Sequence, residues 1–169
     1  MIIIRILGLD LSMTSTGWCV IEDFKVISYG KINTSPKDFT TEDERINYIV
    51  DKIESVMDNI TFVGIENQFI SNRTSTIMVL RKLLGATMRM ITQKGICVEY
   101  LAPTSVKKII TGNGRAGKEK VAKYIQDNYI DIGEYSDKAG NNKTSDIYDA
   151  ISIAVAVKQM FGGNYDKSR

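Results

Sequence analysis

Apolar and polar positions form patterns that predict strands early in the chain and helices mainly later. The almost continuous apolar, β-branched run Ile2–Leu11 is typical of a central strand buried on both faces. Two more strands follow it across short polar turns, so three antiparallel strands are expected to open the fold. The predicted strands are Ile2–Leu11, Trp18–Ile21, Lys25–Asn33, Phe62–Glu66 and Ile96–Leu101.

Helical spacing of apolar residues appears after the third strand and again later. Thr41 and Glu44 form a capping box before a run of apolar residues on one helix face. Asn72–Lys94 is a long helix rich in Leu and Met, and Thr144–Phe161 is apolar on most sides. With two further helices between them, the order βββαβαβααα predicts an α/β fold, a mixed five-stranded sheet with helices on both faces.

Length and composition predict one domain. The chain has 169 residues, of which 43% are hydrophobic and 25% charged, and no stretch resembles a linker. We therefore expect a single domain over 1–169, with Gly-rich and polar segments mobile at Thr111–Gly117, Asp131–Lys143 and in a tail over 162–169. No apolar stretch reaches transmembrane length and the first residues lack a signal-peptide leader, so no membrane partner is expected. Cys19 and Cys97 lie in apolar runs, which predicts buried, reduced thiols and a cytoplasmic protein.

The net charge of +2 is unevenly distributed. Between Ser105 and Lys123 six bases face a single acid, which gives this segment +5 and the remainder −3. Such a segment suits a polyanion, although a solvated lysine-rich helix face is the alternative when the segment is taken alone. Its bases are Lys107, Lys108, Arg115, Lys118, Lys120 and Lys123.

Acidic residues interrupt apolar sequence in three separate segments. Asp10 stands in the most apolar strand and Glu66 ends another, where an unpaired charge is costly. Asp146 and Asp149 share one face at the start of an apolar helix. Taken singly, each acid could be an arginine partner, a surface residue or a favourable charge at a helix N-terminus. Together they suit Mg²⁺ and phosphoryl transfer, and the absence of histidine excludes mechanisms that need an imidazole.

Four motifs carry a family resemblance. In order and spacing along nearly the whole chain, the sequence resembles the RuvC family of Holliday-junction resolvases. The motifs are Gly8-Leu9-Asp10-Leu11-Ser12 with Gly17, Ile65-Glu66-Asn67-Gln68-Phe69, Ala102-Pro103-Thr104-Ser105-Val106-Lys107-Lys108, and Asp146-x-x-Asp149-Ala150.

The resemblance implies an RNase H-like fold and a homodimer that nicks two opposing strands of a four-way DNA junction. It implies that Asp10, Glu66, Asp146 and Asp149 are catalytic ligands of Mg²⁺ or Mn²⁺, one or two ions per subunit. Some members carry histidine at the third or fourth acidic position, whereas this chain has aspartate at both. The segment after Phe69 departs from the bacterial cellular pattern, so no cleavage-sequence preference is carried over.

DNA contacts are expected from the basic segment and from one aromatic residue. Phe69 follows Glu66 by three residues and could stack on a base unpaired at the junction centre, with a core contact as the alternative. Forks and flaps are further candidate substrates, because no base-reading element is evident. The expected phosphate contacts are Lys107, Lys108, Arg115, Lys118 and Lys120.

The homodimer is expected to form through the helix Asn72–Lys94, because this helix has more apolar residues than one face packed on the sheet would need. The surplus would suit a symmetric contact with a second subunit. A helix buried within a monomer is the alternative. The apolar set is Ile77, Met78, Leu80, Leu83, Leu84, Met88 and Ile91.

Nucleotide binding is a competing interpretation of the glycines between Gly112 and Lys118. Glu119 stands where a P-loop needs Ser or Thr, and no strand precedes the loop, so no nucleotide cofactor is expected. A likeness to the phosphate loop of actin-like ATPases and sugar kinases is also rejected. Those proteins need two lobes to enclose a nucleotide, and 169 residues supply one. An RNase H-like nuclease acting on structured RNA and a non-catalytic protein that binds branched DNA remain alternatives.

Overall fold

The computed structural model describes residues 3–67, 74–138 and 143–165. Strands and helices follow the predicted order βββαβαβααα, with one unpredicted 3-10 turn at Pro36–Asp38. The strands are β1 (Arg5–Asp10), β2 (Ser15–Glu22), β3 (Lys25–Asn33), β4 (Phe62–Glu66) and β5 (Cys97–Leu101). The helices are α1 (Glu42–Glu54), α2 (Thr74–Gln93), α3 (Pro103–Thr111), α4 (Lys118–Asn128) and α5 (Ser145–Tyr165).

The strands form one mixed sheet in the order β3-β2-β1-β4-β5, which confirms the predicted five-stranded sheet. β1 pairs antiparallel with β2 and parallel with β4, and β4 pairs parallel with β5. The carboxyl ends of β1, β4 and β5 therefore lie at the same edge of the sheet. Residues that end these strands are brought close together there.

Helices cover both faces, as predicted. Leu7 and Leu9 of β1 pack with apolar residues of α1 and α2, whereas Ile6 packs with those of α3, α4 and α5. Because side chains alternate along a strand, Gly8 and Asp10 lie on the same face as Ile6, beneath α5. The last helix is buried through most of its length, as its apolar sequence predicts.

Close approach of α5 to the sheet depends on glycine. A Cβ on Gly8 would lie 2.8 Å from the Ala154 nitrogen and 2.9 Å from its Cβ. On the neighbouring strand β4, a Cβ on Gly64 would lie 2.7 Å from Val157 Cγ2. Real Cβ atoms essentially never come within 3.0 Å of such neighbours. The helix backbone can therefore lie against β1 and β4 only because these positions carry no side chain.

Local signals explain several helix boundaries. The capping box predicted from Thr41 and Glu44 is present at the start of α1, with both reciprocal hydrogen bonds formed. α3 begins with Pro103 in its first turn and ends at Gly112, whose φ of 77° is the left-handed conformation that glycine adopts easily.

Several boundaries differ from the prediction. β1 begins at Arg5, which pairs with Glu22, because the β2–β3 turn leaves Ile3 and Ile4 without a partner strand. The loop expected to be mobile after Thr111 is anchored, since Ala116 is buried in the core and bonded to Asn113. α5 runs to Tyr165, past the predicted start of the tail, because the adjacent Gly162 and Gly163 weaken a helix without necessarily ending it.

The two cysteines also differ from each other. Cys19 is buried, as predicted, but the prediction that Cys97 is buried is wrong, because it begins the edge strand β5 and is exposed. Both are free thiols. No helix within the described ranges is long and apolar enough to cross a membrane.

Candidate active site

Two of the predicted site acids end neighbouring parallel strands. Asp10 is the last residue of β1 and Glu66 the last residue of β4, and the preceding residues Leu9 and Ile65 are paired in register. Strand alternation turns both acids to the face covered by α5. Asp10 is only 8% exposed. The sheet therefore brings two carboxylates to one edge, beneath the start of a helix.

The first turns of α5 bring the other two acids to the same place. Gly17 pairs with Asp10 across the sheet, and a Cβ on Gly17 would lie 3.2 Å from the Cβ of Asp146. Asp146 is 7% exposed, and Asp149 lies one helical turn further along. The four acids predicted from the sequence thus converge from three separate segments.

Burial and mutual repulsion both act on these carboxyls. Burial raises the pKa of Asp10 well above its usual value, and the charges of Asp149, Glu66 and Asp146 raise it further. Burial likewise raises the pKa of Glu66, with a further contribution from Asp149. The pKa of Asp149 is also raised by burial, although Lys118 opposes the shift. Such a group of carboxylates favours a bound cation.

Lysines surround the four acids. The Lys118 ammonium donates a hydrogen bond to Asp149 Oδ2 at 2.7 Å, and Lys143 Nζ lies 3.3 Å from Asp146 Oδ1. Lys107 and Lys118 line a cavity of about 70 Å³ together with Glu66 and Asp149. Both lysines lower the pKa of Glu66. A phosphate that enters this cavity would meet two ammonium groups beside the carboxylates.

Three of the remaining predicted binding residues lie outside this cavity. Lys108 of α3, Arg115 of the α3–α4 loop and Lys120 of α4 are exposed and do not line it. Phe69 lies outside the described residues, so its role stays a prediction.

The donor set fits a divalent metal ion. Asp146 Oδ2 is buried and has no hydrogen-bond partner within the part of the chain that the structure describes, which is costly unless a cation or water binds it. Four carboxylates supply the oxygen ligands that Mg²⁺ and Mn²⁺ prefer. Within 3–67, 74–138 and 143–165, no three candidate ligand residues already stand in metal-binding geometry. The side chains would therefore have to draw together around an ion.

Sequence reasoning missed two polar residues at the site. Lys143 falls in a stretch predicted to be mobile, although its spacing of three residues from Asp146 is a recognisable charge-pair signal. Asn67 follows Glu66, and its buried Oδ1 has no hydrogen-bond partner among the described residues. Asn67 belongs to the motif around Glu66, but nothing in the sequence assigns its side chain a role at the site.

Comparisons with known proteins agree with this architecture. The chain is 32% identical over 158 residues to a crossover junction endodeoxyribonuclease RuvC of Neorickettsia sennetsu, covering 89% of this chain and 90% of that relative. The Thermus thermophilus RuvC structure superposes with a TM-score of 0.75 at 22% identity, covering 95% of this chain and 97% of that one.

A second solved structure is T. thermophilus RuvC in complex with a Holliday junction substrate, which superposes with a TM-score of 0.75 at 21% identity and covers 95% of this chain and 96% of that one. These superpositions confirm the RNase H-like fold expected from the sequence. The family model described as crossover junction endodeoxyribonuclease RuvC matches residues 6–157, a range that includes all four acids. The chain therefore belongs to the RuvC family of crossover junction endodeoxyribonucleases.

Proposed function

We propose that this protein is a metal-dependent endodeoxyribonuclease that resolves four-way DNA junctions by paired nicks, as one nuclease domain per subunit. The observation that carries the proposal is the convergence of four carboxylates from β1, β4 and α5, one of which has a buried oxygen without a hydrogen-bond partner in the described ranges. Membership in a family of metal-dependent nucleases supports the same conclusion.

Asp10, Glu66, Asp146 and Asp149 would hold one or two Mg²⁺ or Mn²⁺ ions. A bound ion would supply Lewis acidity, activating a water and stabilising negative charge on the phosphate. The chain itself contributes rigidity, because β1 and α5, which carry three of these acids, pack around one buried core. Asp10 and Glu66 end paired strands, so the backbone positions that carry these two carboxylates are held relative to each other.

Branched DNA would be held mainly through its phosphates. Lys107 and Lys118 line the cavity beside Glu66 and Asp149 and would contact the phosphate that is cut. Lys108, Arg115 and Lys120 are exposed on the same segment and would contact neighbouring phosphates. Phe69 would stack on a base at the junction centre. The junction complex of T. thermophilus RuvC supports four-way junctions as substrate, with forks and flaps as further candidates.

The proposed homodimer would use the outer face of α2. Met78 is 60% exposed and Met88 42% exposed, whereas Leu83 and Ile91 of the same helix are fully buried against the sheet. Two large flexible apolar side chains on one exposed face suit a symmetric contact with a second copy. Two active sites would also match the chemistry, since resolving a junction needs two nicks.

The proposed location is the cytoplasm. Cys97 is an exposed free thiol, and a reducing compartment would keep it so.

Cleavage assays with matched variants test the nuclease proposal. Wild-type protein and Mg²⁺ are incubated with a labelled four-way junction, a linear duplex and a structured RNA. Asp10→Asn, Glu66→Gln, Asp146→Asn and Asp149→Asn should each lower junction cleavage by orders of magnitude and leave junction binding largely intact. Asp127→Asn is the control, since this exposed acid on α4 pairs with Lys123 and should leave cleavage unchanged.

Three outcomes would contradict the proposal. Preferential cutting of the RNA would favour the ribonuclease alternative. Junction binding without any metal-dependent cutting would favour a non-catalytic binding protein. Variants that lose binding and cutting together would assign the acids a folding role.

Mixed dimers test the subunit arrangement. Wild-type subunits are mixed with Asp149→Asn subunits and given a supercoiled cruciform plasmid. Mixed dimers should release nicked circles, whereas wild-type dimers should release linear DNA. A protein that sediments as a monomer at concentrations where it resolves junctions would refute the dimer.

A further inference from the structure

The ammonium of Lys118 pairs with one of the four acids and lines the cavity that also contains Glu66. It lies 2.7 Å from Asp149 Oδ2, and the Asp149 side chain is only 16% exposed. Its positive charge also lowers the pKa of Asp10 and of Glu66. Lys118 thus offsets the mutual repulsion of acids that come from three different elements.

Comparison with a Lys–Asp pair that lies entirely within α4 shows that the contact between Lys118 and Asp149 is unusual. Lys123 and Asp127 lie four residues apart on α4 at 2.8 Å, and both side chains are more than half exposed. Such a pair is an ordinary surface contact with little energetic weight. Lys118 instead reaches across to α5, 31 residues further along the chain, and pairs with a largely buried carboxylate. In this environment a charge pair is screened less by water.

The same contact competes with a metal ion for Asp149. The Lys118 ammonium already binds one carboxylate oxygen of Asp149, and the described residues contain no three candidate ligands arranged to coordinate a metal. Lys118 itself is 57% exposed, and it begins α4 directly after Gly117. Its long side chain can therefore swing away from Asp149 without disturbing the helix.

We propose that Lys118 is a built-in counter-cation that neutralises the acids in the metal-free protein and releases Asp149 when a divalent ion arrives. The released ammonium then faces the cavity that it shares with Lys107 and becomes available to a DNA phosphate. This inference rests on the proposed role of the four carboxylates as metal ligands. It makes metal binding and phosphate binding mutually reinforcing, because each favours the same released position of Lys118.

The test measures metal affinity in the absence of DNA, so that it does not depend on cleavage. Mn²⁺ alone is titrated into the full-length protein, and the free ion is followed by electron paramagnetic resonance. Lys118→Ala should bind Mn²⁺ more tightly than wild type, by on the order of tenfold, since no ammonium competes for Asp149. Lys118→Arg retains the charge and should bind Mn²⁺ close to wild type.

Lys123→Ala is the matched control, because it removes a Lys–Asp pair on the same helix away from the acids and should leave Mn²⁺ affinity unchanged. Lys118→Gln provides a second neutral variant of similar length, and circular dichroism checks that each variant is folded. Unchanged or weaker Mn²⁺ binding by folded Lys118→Ala or Lys118→Gln would overturn the inference.

An Asp149→Asn titration separates the inference from the proposal beneath it. If wild-type protein binds Mn²⁺ and Asp149→Asn binds it more weakly, the carboxylates are metal ligands whatever Lys118 does. A failure of the Lys118 variants would then overturn the counter-cation alone. If wild type shows no Mn²⁺ binding, both the metal site and the counter-cation are wrong.

Discussion

Replacing Gly8 by alanine should push α5 away from the sheet. The new Cβ would lie 2.8 Å from the Ala154 nitrogen and 2.9 Å from its Cβ, and the carbonyl oxygen of Ala150 would be nearer still. Ordinary contacts begin at 3.4 Å. Because two of these three neighbours are helix backbone, no side chain can rotate away to relieve the overlap. The helix would have to retreat by on the order of 1 Å.

This retreat should affect both stability and chemistry. Overpacking a close-packed core costs about 1–3 kcal/mol, which urea unfolding monitored by circular dichroism would resolve. The same movement shifts Asp146 and Asp149 relative to Asp10 and Glu66. A displacement of ~1 Å at a reacting centre can lower the rate about 100-fold, so junction cleavage by the folded variant should fall by a comparable factor.

Gly162→Ala is the control for Gly8→Ala. Gly162 lies within α5, on the same helix but away from the acids, and no described atom lies within 4 Å of its would-be Cβ, so alanine there should be neutral or should stabilise the protein by about 0.5–1 kcal/mol. If Gly8→Ala is as stable and as active as wild type, the close approach of α5 is not the reason for glycine at this position. Loss of stability with normal cleavage by the folded variant would refute the link to the acids.

Three further predictions concern DNA and metal. Neutralising both Lys107 and Lys118 should lower the salt slope of junction binding by about two units, measured by fluorescence anisotropy, and unchanged affinity at moderate salt would reduce the pair to solvated charges. In the metal-free protein, burial raises the pKa of Asp10, so the folded state favours the protonated carboxyl. The free energy of unfolding should therefore fall as the pH rises from the pKa of Asp10 in the unfolded chain to its pKa in the folded protein. Mg²⁺ should therefore raise the melting temperature more at pH 8 than at pH 5, and an equal rise would contradict this. Phe69→Ala should cut a fully paired junction poorly but retain more activity on one with pre-opened bases, whereas equal losses would favour a core contact.

The sheet and most helices could be predicted because their signals are local. The apolar run through Leu7 and Leu9 identifies a central strand wherever it lies in a fold. The capping box at Thr41 depends on Glu44, only three residues further along the chain. The acids could be predicted for a related reason. Asp10 interrupts apolar sequence, and that conflict is visible before any tertiary contact is known.

Contacts between distant segments could not be predicted in the same way. Lys118 was predicted to bind DNA as one of several lysines, but nothing in the sequence pairs it with Asp149 rather than with solvent. Cys97 was placed in the core because its neighbours are apolar, whereas its exposure follows from the edge position of β5. Strand order is a property of the whole sheet, and an apolar run alone does not specify it.

The glycines and the acids work as one arrangement. Gly8, Gly17 and Gly64 let α5 lie against the sheet at backbone distance, and this closeness brings Asp146 and Asp149 to the end of β1. The same closeness excludes water and raises the pKa of Asp10 through burial and through neighbouring charge. Looser packing would weaken the repulsion between the carboxylates but would leave them too far apart to share an ion. The cost of crowding buried carboxylates is thus inseparable from the proposed binding of a cation, and the glycine positions should be as intolerant of substitution as the acids.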